Sequence, residues 1–277
     1  MTISVLMSTY RKEVPAYLDR ALQSIWTDQT RKPDEIVLVE DGQLTPELDE
    51  VISKWKDIIG NSLILVEKKK NEGLALALND GIAVAKGELI ARMDSDDISV
   101  PERFAIQEDY MQKHTEVDIL GGSLEEFNDE GTLHDVRKYP QTMDDVKRTM
   151  HRMSPLGHPT VMFRRRIFDE GLRYSNKYHI CEDVTLWYDA ACAGKVINNV
   201  SDVILRFRRN ESMMTRRSRE KAWSEFLAYN DGIYRMCGLF TTRYAFSFFR
   251  LIFRLLPVDM IKKIYKTNRF RNMMSGR

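Results

Sequence analysis

Cysteine is scarce in this chain of 277 residues, which contains only Cys181, Cys192 and Cys237. They form no CxxC or CxxH group, so the sequence supports neither a disulfide framework nor a structural zinc site. The first ten residues also lack the basic segment and the longer apolar run of a signal peptide. We therefore expect a mature N-terminus and reduced thiols in the cytoplasm.

Long apolar runs and biased segments are missing as well. Apolar residues make up 43% of the chain and charged residues 30%, which is ordinary for a globular enzyme and excludes collagen-like and polytopic membrane proteins. The sequence contains no internal repeat and no low-complexity linker. A chain of this length predicts one large domain or two small ones with a substantial core.

Charge is distributed unevenly along the chain. Residues 200–277 carry 17 lysines and arginines against 6 aspartates and glutamates, whereas residues 1–199 carry 25 against 35. An acidic body with a basic tail indicates that the tail meets an anionic partner, either nucleic acid or phospholipid.

Strand and helix patterns alternate through the first 114 residues. Short β-branched runs, such as 3–10 and 36–39, precede segments with apolar residues on one helical face. Such alternation predicts a mostly parallel sheet with helices on both faces, and ligands bind such sheets at the carboxyl ends of the strands. Three of these ends carry polar groups: Ser8-Thr9-Tyr10, Glu40-Asp41 and Asp94-Ser95-Asp96-Asp97.

The sequence Asp94-Ser95-Asp96-Asp97 places three carboxylates at one strand end. Their mutual repulsion is costly unless a cation or hydrogen bonds compensate it. Oxygen ligands of this kind suit Mg²⁺ or Mn²⁺ together with substrate phosphates. Taken alone, the motif is equally compatible with a solvated acidic turn.

Six motifs together resemble family 2 inverting glycosyltransferases, which have the nucleotide-diphospho-sugar transferase (GT-A) fold. They run from residue 3 to about 187 in the order STY, VEDG, NEGLALALN, ARMDSDD, HPTVMFRR and CEDVTLW. The resemblance implies an α/β GT-A catalytic domain over 1–205, with a nucleotide-binding half (1–97) and an acceptor and catalytic half (98–205). A basic, amphipathic helical extension would occupy 206–277.

The resemblance also assigns the donor site. Asp41 would accept a hydrogen bond from the base of the nucleotide, usually uracil, and Thr9 and Tyr10 would line the nucleotide pocket. Asp94 would lie nearer the ribose or sugar, and Asp96 would be the metal ligand, with Asp94 as a second candidate ligand. The further donor-site candidates in the loop before the third helix are Asn71 and Gly73.

Inverting transfer requires one general base on the acceptor side, and the resemblance assigns this role to Asp183. Acidic residues at a helix start also stabilise the helix dipole by about 0.3–1 kcal/mol, so the Glu182-Asp183 pair has a structural alternative. Weaker candidates for acceptor or phosphate contacts are Glu182, His158, Arg208 and Arg209.

The segment from Leu239 to Leu256 is apolar and aromatic, and Arg243, Arg250 and Arg254 share one helical stripe. Three arginines make it a poor spanning helix, whereas an interfacial helix with arginines toward anionic headgroups fits. The alternative is that the helix packs on the acidic body or forms an oligomer contact.

Together, the family and the tail predict a metal-dependent transferase that moves a hexose from a nucleotide diphosphate sugar to a glycan hydroxyl. The acceptor would be lipid-linked, as in capsule, exopolysaccharide or O-antigen assembly. The enzyme would be cytoplasmic and peripheral, touching the anionic inner membrane surface through 239–272, with no nucleic-acid partner. The competing hypothesis is a noncatalytic membrane adaptor on the same scaffold.

Overall fold

The computed structural model describes residues 1–178, 180–209 and 219–256. The strands are β1 Ile3–Thr9, β2 Glu35–Glu40, β3 Leu63–Glu67, β4 Leu89–Asp94, β5 Ile98–Ser99, β6 Ile119–Phe127, β7 His134–Arg137, β8 Met162–Arg164 and β9 Ile197–Arg208. The helices are α1 Pro15–Trp26, α2 Pro46–Ile59, α3 Leu74–Val84, α4 Arg103–Lys113, α5 Met143–Thr149, α6 Arg166–Asp169, α7 Glu182–Cys192, α8 Arg219–Cys237 and α9 Tyr244–Leu255. The alternation predicted for the first 114 residues is confirmed.

The strands form one sheet in the order β3-β2-β1-β4-β8-β6-β9-β5, with β7 paired to β6. The first four strands are parallel, as predicted, while β8, β5 and β7 pair in the antiparallel sense. The sheet is therefore mixed. In the parallel part, Thr9 lies beside Glu40 and Ser8 beside Asp94, so the three polar strand ends meet at one edge.

Successive side chains of a strand point to opposite faces of the sheet. Both faces of this sheet are apolar, and helices cover both. On one face Leu6 packs in a cluster that includes Leu78 of α3 and Trp187 of α7. On the other face Val5 packs in a cluster with residues of α1, α2 and α4, including Leu22. Each face therefore has its own apolar core, and the strand ends remain available at the edge.

Local signals explain several element boundaries. Pro46 opens α2 directly after Thr45, where the missing proline N–H costs no hydrogen bond. Thr142 caps α5 by accepting a hydrogen bond from the Asp145 backbone N–H. The apolar run at 157–163 is a strand only in part: a 3₁₀ turn from His158 to Thr160 precedes β8, since Pro159 has no N–H for a strand ladder.

The C-terminal region departs from its prediction. Arg250 and Arg254 do not face outward: Arg250 Nη1 donates to Glu225 Oε1 at 2.9 Å, and Arg254 Nε lies 2.7 Å from Glu225 Oε2. Glu225 is buried on α8, and a buried carboxylate needs a cationic partner, which explains why the arginine stripe turns inward. Residues 244–255 thus pack on the protein, as the alternative predicted, and 257–272 lies outside the described residues. Contact of this region with a membrane stays a prediction.

Strand β9 continues to Arg208, so a domain boundary between residues 205 and 206 would fall inside it. Among the residues that the structure describes, no helix combines the length and apolar character needed to cross a bilayer.

Candidate active site

The acidic strand end after β4 is the centre of the site. Carboxylate oxygens of Asp94, Asp96 and Asp97 all lie within 4.8 Å of one another. Three carboxylates at such distances repel one another strongly unless positive charge is supplied. The structure supplies part of this charge through arginine side chains.

Arg92 compensates Asp94. It lies two residues earlier on β4, so both side chains point to the same face of the sheet. Its Nη1 donates to Asp94 Oδ2 at 2.7 Å, and its Nη2 donates to Asp94 Oδ1. Arg92 is itself buried, and Arg103 donates to its carbonyl oxygen at 2.7 Å. Asp94 is therefore held in one orientation by a two-pronged contact.

Asp96 and Asp97 are less well compensated. Burial, followed by the nearby charges of Asp94 and Glu13, raises the pKa of Asp96 to about 7. Burial and the charges of Asp94 and Asp96 also raise the pKa of Asp97. Asp97 Oδ1 accepts from the Arg208 backbone N–H at 2.9 Å, whereas Oδ2 is buried without a hydrogen-bond partner in the described structure. Uncompensated oxygens of this kind fit a divalent cation.

Asp41 organises the neighbouring loop. Its two carboxylate oxygens accept hydrogen bonds from the backbone N–H groups of Glu72 and Gly73, both at 2.9 Å, and Asn71 Nδ2 donates to its carbonyl oxygen at 3.0 Å. Gly73 has a φ of 90°, a conformation that glycine adopts without strain. Asp41, Asn71 and Gly73 thus form one unit beside the strand ends.

Thr9 and Tyr10 lie at the end of β1. Thr9 is buried, and its hydroxyl oxygen has no hydrogen-bond partner in the ranges described, while its carbonyl oxygen accepts from the Asp41 backbone N–H at 2.8 Å. Tyr10 is partly exposed. The structure therefore places both predicted pocket residues next to Asp41, with a polar atom of Thr9 free to take a partner.

The predicted base, Asp183, lies in the first turn of α7 beside Glu182. Burial, followed by the negative charge of Glu182, raises the pKa of Asp183 to about 7, while Arg92 opposes this shift. The same Arg92 binds Asp94. Arg92 therefore acts electrostatically on both the α7 carboxylate and the acidic strand end.

His158 is engaged within the protein. Its Nε2 lies 2.8 Å from the Tyr174 hydroxyl, and its ring packs edge-on against Trp187. Burial and the charge of Arg92 lower the pKa of His158 well below its usual range. His158 is thus a neutral ring that supports Tyr174 next to Arg92.

Arg208 and Arg209 are both tied to other residues. Arg208 Nε donates to the Asp96 carbonyl oxygen at 2.9 Å, and its guanidinium pairs with Asp129 and lies over the Tyr17 ring. Arg209 Nη1 donates to Glu126 at 3.0 Å. Arg208 therefore borders the acidic strand end but is already neutralised, and Arg209 belongs to a separate ion pair.

Glu13 is a site residue that the sequence did not reveal. Ser95, the middle residue of the acidic motif, donates a hydrogen bond to Glu13 Oε2. Glu13 lies 82 residues earlier in the chain, so only the pairing of β1 with β4 brings them together. Arg92 could be found from the sequence, since strand alternation places it on the same face as Asp94.

The protein has a mixed, mostly parallel α/β sheet with an acidic cluster at its strand ends. It also has a partly buried carboxylate at the start of a helix. This combination defines the class of GT-A glycosyltransferases. The family model described as "Glycosyl transferase family 2" matches residues 4–172. The chain therefore belongs to glycosyltransferase family 2.

Relatives cover almost the whole chain. The amylovoran biosynthesis glycosyltransferase AmsE of Erwinia amylovora is 32% identical, with 96% of this chain and 98% of the relative aligned. The UDP-Gal:alpha-D-GlcNAc-diphosphoundecaprenol beta-1,3-galactosyltransferase of Escherichia coli is 35% identical over 95% of this chain and 94% of its own length. The protein is thus a glycosyltransferase, and the noncatalytic adaptor hypothesis is not supported.

Solved structures show the same fold. S. aureus TarS 1-349 in complex with UDP-GlcNAc has a TM-score of 0.64 at 20% identity, covering 92% of this chain and 72% of that protein. The mannosyltransferase PcManGT from Pyrobaculum calidifontis, in complex with GDP-Man and Mn²⁺, also has a TM-score of 0.64, at 15% identity, covering 99% and 84%. The predicted GT-A fold is confirmed.

Proposed function

We propose that the protein transfers a hexose from a UDP-sugar to a hydroxyl group of a glycan, with inversion at the anomeric carbon. The observation that carries this proposal is that buried Arg92 acts on two chemically different acidic groups. One is the Asp94–Asp97 cluster with an unpartnered oxygen, and the other is Asp183 with a pKa of about 7.

The donor would bind at the edge formed by β1, β2 and β4. Asp41, held by the backbone of the 71–73 loop, would accept from the uracil base, and Thr9 and Tyr10 would line this part of the pocket. A carboxylate that accepts one backbone hydrogen bond on each oxygen is fixed in direction, and its remaining lone pairs can accept from the edge of a base. The Escherichia coli relative, named for UDP-Gal, supports a uridine donor.

A divalent cation, Mn²⁺ or Mg²⁺, fits the acidic strand end. Asp96 would hold it, and Asp97 Oδ2 offers a second buried oxygen. Asp94 is committed to Arg92 on both oxygens, which favours its contact with the ribose or sugar over metal ligation. A bound cation would supply Lewis-acid stabilisation of the leaving diphosphate.

Asp183 would act as the general base that takes the proton from the attacking hydroxyl. A base works best when its pKa lies near the operating pH, and burial next to Glu182 gives Asp183 this property. Glu182 would contact the acceptor. Because Arg92 acts on Asp183 and Asp94 together, the acceptor side and the donor side of the cleft share one electrostatic element.

The acceptor would be a lipid-linked glycan, in the assembly of a capsule, exopolysaccharide or O-antigen. The Escherichia coli relative is named for a diphosphoundecaprenol-linked acceptor, and the Erwinia relative for amylovoran biosynthesis. An acceptor with a lipid anchor would place the enzyme at the cytoplasmic face of the membrane as a peripheral protein.

Calorimetric titration tests the donor site directly. The protein is titrated with UDP, GDP, CDP and TDP, each with and without Mn²⁺, and the tightest case is repeated with Asp96→Ala. We expect UDP to bind in the presence of Mn²⁺ and the substitution to abolish the metal dependence. Asp109→Ala, which removes an exposed aspartate of α4 outside the acidic cluster, is the matched control and should retain it.

Failure of every diphosphate to bind to folded protein would contradict the proposal. Metal-independent binding that Asp96→Ala leaves unchanged would contradict the metal role alone. Transfer itself is then measured with UDP-hexoses and an undecaprenol diphosphate-linked sugar, and the product's anomeric configuration is read by NMR.

A further inference from the structure

Helix α9 has its polar and apolar faces in the reverse of the usual arrangement. A helix on the surface of a water-soluble protein normally turns its apolar face inward. Here the inward side carries Ser247, Arg250 and Arg254 beside the buried Phe253, and Ser247 Oγ donates to Asn230 Oδ1 of α8 at 2.9 Å. Polar and charged contacts therefore make up much of what holds this helix against the protein.

The outward side is apolar. The side chains at the surface include Trp223 of α8, Phe240 in the connecting turn, and Phe248, Ile252 and Leu255 of α9, and we call these five residues the outer apolar face. Their exposed fractions range from 51% to 101%. Phe226 joins the two helices, since its ring contacts those of both Trp223 and Phe248. Exposed apolar residues gathered in this way mark an interaction surface.

We propose that the outer apolar face inserts into the interface of an anionic lipid bilayer. The inference rests on the proposed membrane location and specifies which groups make the contact: aromatic and aliphatic side chains enter the lipid, while Arg250 and Arg254 fix the helix to Glu225. This is the reverse of an interfacial helix whose arginines reach toward the headgroups.

Positive charge lies against α9 and also follows it in the sequence. The guanidinium carbon of exposed Arg152 lies 4.7 Å from the centre of the Phe246 ring on α9. The sequence that follows α9, residues 257–277, contains six lysines and arginines and one aspartate. Aromatic side chains beside basic residues are the combination that binds anionic membrane surfaces, because apolar burial and charge attraction add.

The same charge argues against a second copy of the chain as the occupant. Residues 200–277 carry 17 lysines and arginines against 6 aspartates and glutamates, and two copies of so basic a region repel each other. An anionic lipid surface attracts both. A lipid bilayer would therefore bury the apolar side chains and attract the basic residues at the same time.

Vesicle co-sedimentation of the full-length protein tests the proposal. The vesicles contain equal amounts of phosphatidylglycerol and phosphatidylethanolamine, with no donor or acceptor present. The double variant Phe248→Ser/Ile252→Ser removes two outward apolar groups, and we expect it to weaken partitioning by about tenfold or more. The matched control, Ile58→Ser/Val84→Ser, removes exposed apolar residues elsewhere and should bind as the unchanged protein does.

Trp223 provides a second measurement. Lipids brominated along the acyl chains should quench its fluorescence, because it is 54% exposed on the outer apolar face while Trp55 and Trp187 are buried. Trp223→Phe should remove most of the quenching. Calorimetric UDP binding by each variant shows that the fold and donor site remain intact, so failure of this inference is separate from failure of the proposed transferase activity.

Three results would overturn the proposal. In the first, the double variant binds vesicles as tightly as the unchanged protein and high salt abolishes binding of both, which would assign the contact to the basic residues alone. In the second, Trp223 is not quenched in vesicle-bound protein. In the third, the unchanged protein does not bind vesicles and forms a dimer that Phe248→Ser/Ile252→Ser dissociates, which would identify a second copy as the occupant.

Discussion

Arg92 donates hydrogen bonds to both carboxylate oxygens of Asp94 through the two terminal nitrogens of its guanidinium group. The two residues belong to the same strand, two positions apart, and Arg92 is 2% exposed. A buried guanidinium that engages both carboxylate oxygens fixes the carboxylate's position as well as its charge. Asp94 is therefore held in a set orientation, and in the proposed donor site Asp96 is the member of the pair that would hold the metal ion.

Arg92→Met should lower the free energy of unfolding by about 3 kcal/mol, the lower end of the range for breaking a buried ion pair, because Asp94 is partly exposed. Arg92→Lys keeps the positive charge but loses the planar guanidinium group. It should reduce the free energy of UDP binding by more than it reduces the free energy of unfolding. Urea denaturation and calorimetry measure the two effects. Arg164 is another buried arginine, and its hydrogen bonds to oxygen all go to backbone carbonyl groups. Arg164→Lys is the control and should leave UDP binding unchanged.

Asp183→Asn should separate chemistry from binding. The amide has nearly the same shape as the carboxylate but cannot take a proton, so kcat should fall by about 10²–10⁴-fold, the usual contribution of a general base. UDP affinity should stay as it is in the unchanged protein. Glu182→Gln is the adjacent comparison: it keeps the proposed base, so kcat should fall much less, while loss of the proposed acceptor contact should raise the KM for the acceptor. Equal kcat losses in the two variants would contradict the assignment of the base to Asp183.

The pH profile should report the raised pKa of Asp183. A general base acts only when it is deprotonated, so a pKa of about 7 means that kcat/KM rises with pH through about 7 and levels off above it. Glu182→Gln removes a neighbouring negative charge that raises this pKa, so the midpoint should move to lower pH. A midpoint that stays at the same pH in this variant would contradict the electrostatic coupling of the pair.

Gly42→Ala should damage the donor loop. Gly42 follows Asp41 with a φ of 89°, and a Cβ there would lie 2.6 Å from the Asn71 backbone nitrogen. The loop would have to move away from Asp41, and we expect UDP affinity to fall by about tenfold, equivalent to about 1.4 kcal/mol. Gly60→Ala has a φ of 66° with no neighbouring atom within 4 Å, so it carries the backbone strain alone. Calorimetry should show normal UDP binding for it.

Much of the fold could be predicted because its signals are local. Alternating strand and helix patterns, Pro46 at a helix start and the Thr142 cap each depend on residues within one or two turns. The 3₁₀ turn at His158–Thr160 lies in an apolar segment that fits a strand equally well, because apolar residues around a proline look the same in both. Antiparallel pairing of β8 depends on the position of its neighbours, which a local pattern does not contain.

The candidate site likewise contains residues that short motifs indicate and contacts that only the tertiary structure makes. Asp41, Asp94, Asp96 and Asp183 could be proposed from motifs, since each lies at the end of a strand or the start of a helix. The partner of Ser95 is Glu13, and the partners of Arg208 are Asp129 and the Asp96 carbonyl oxygen. These contacts join residues separated by about 80 or more positions, so no spacing rule in the sequence indicates them.

The amino-acid sequence by itself determined the family, the order of the elements and which strand ends carry acidic groups, because these follow from local periodicity and short motifs. Only the tertiary structure decided which charges are paired. Burial makes an unpaired charge costly, so Arg92 turns to Asp94, and Arg250 and Arg254 turn to Glu225 rather than to solvent. The helical spacing of those arginines is the same whichever way the helix faces, and the position of one buried glutamate sets the direction.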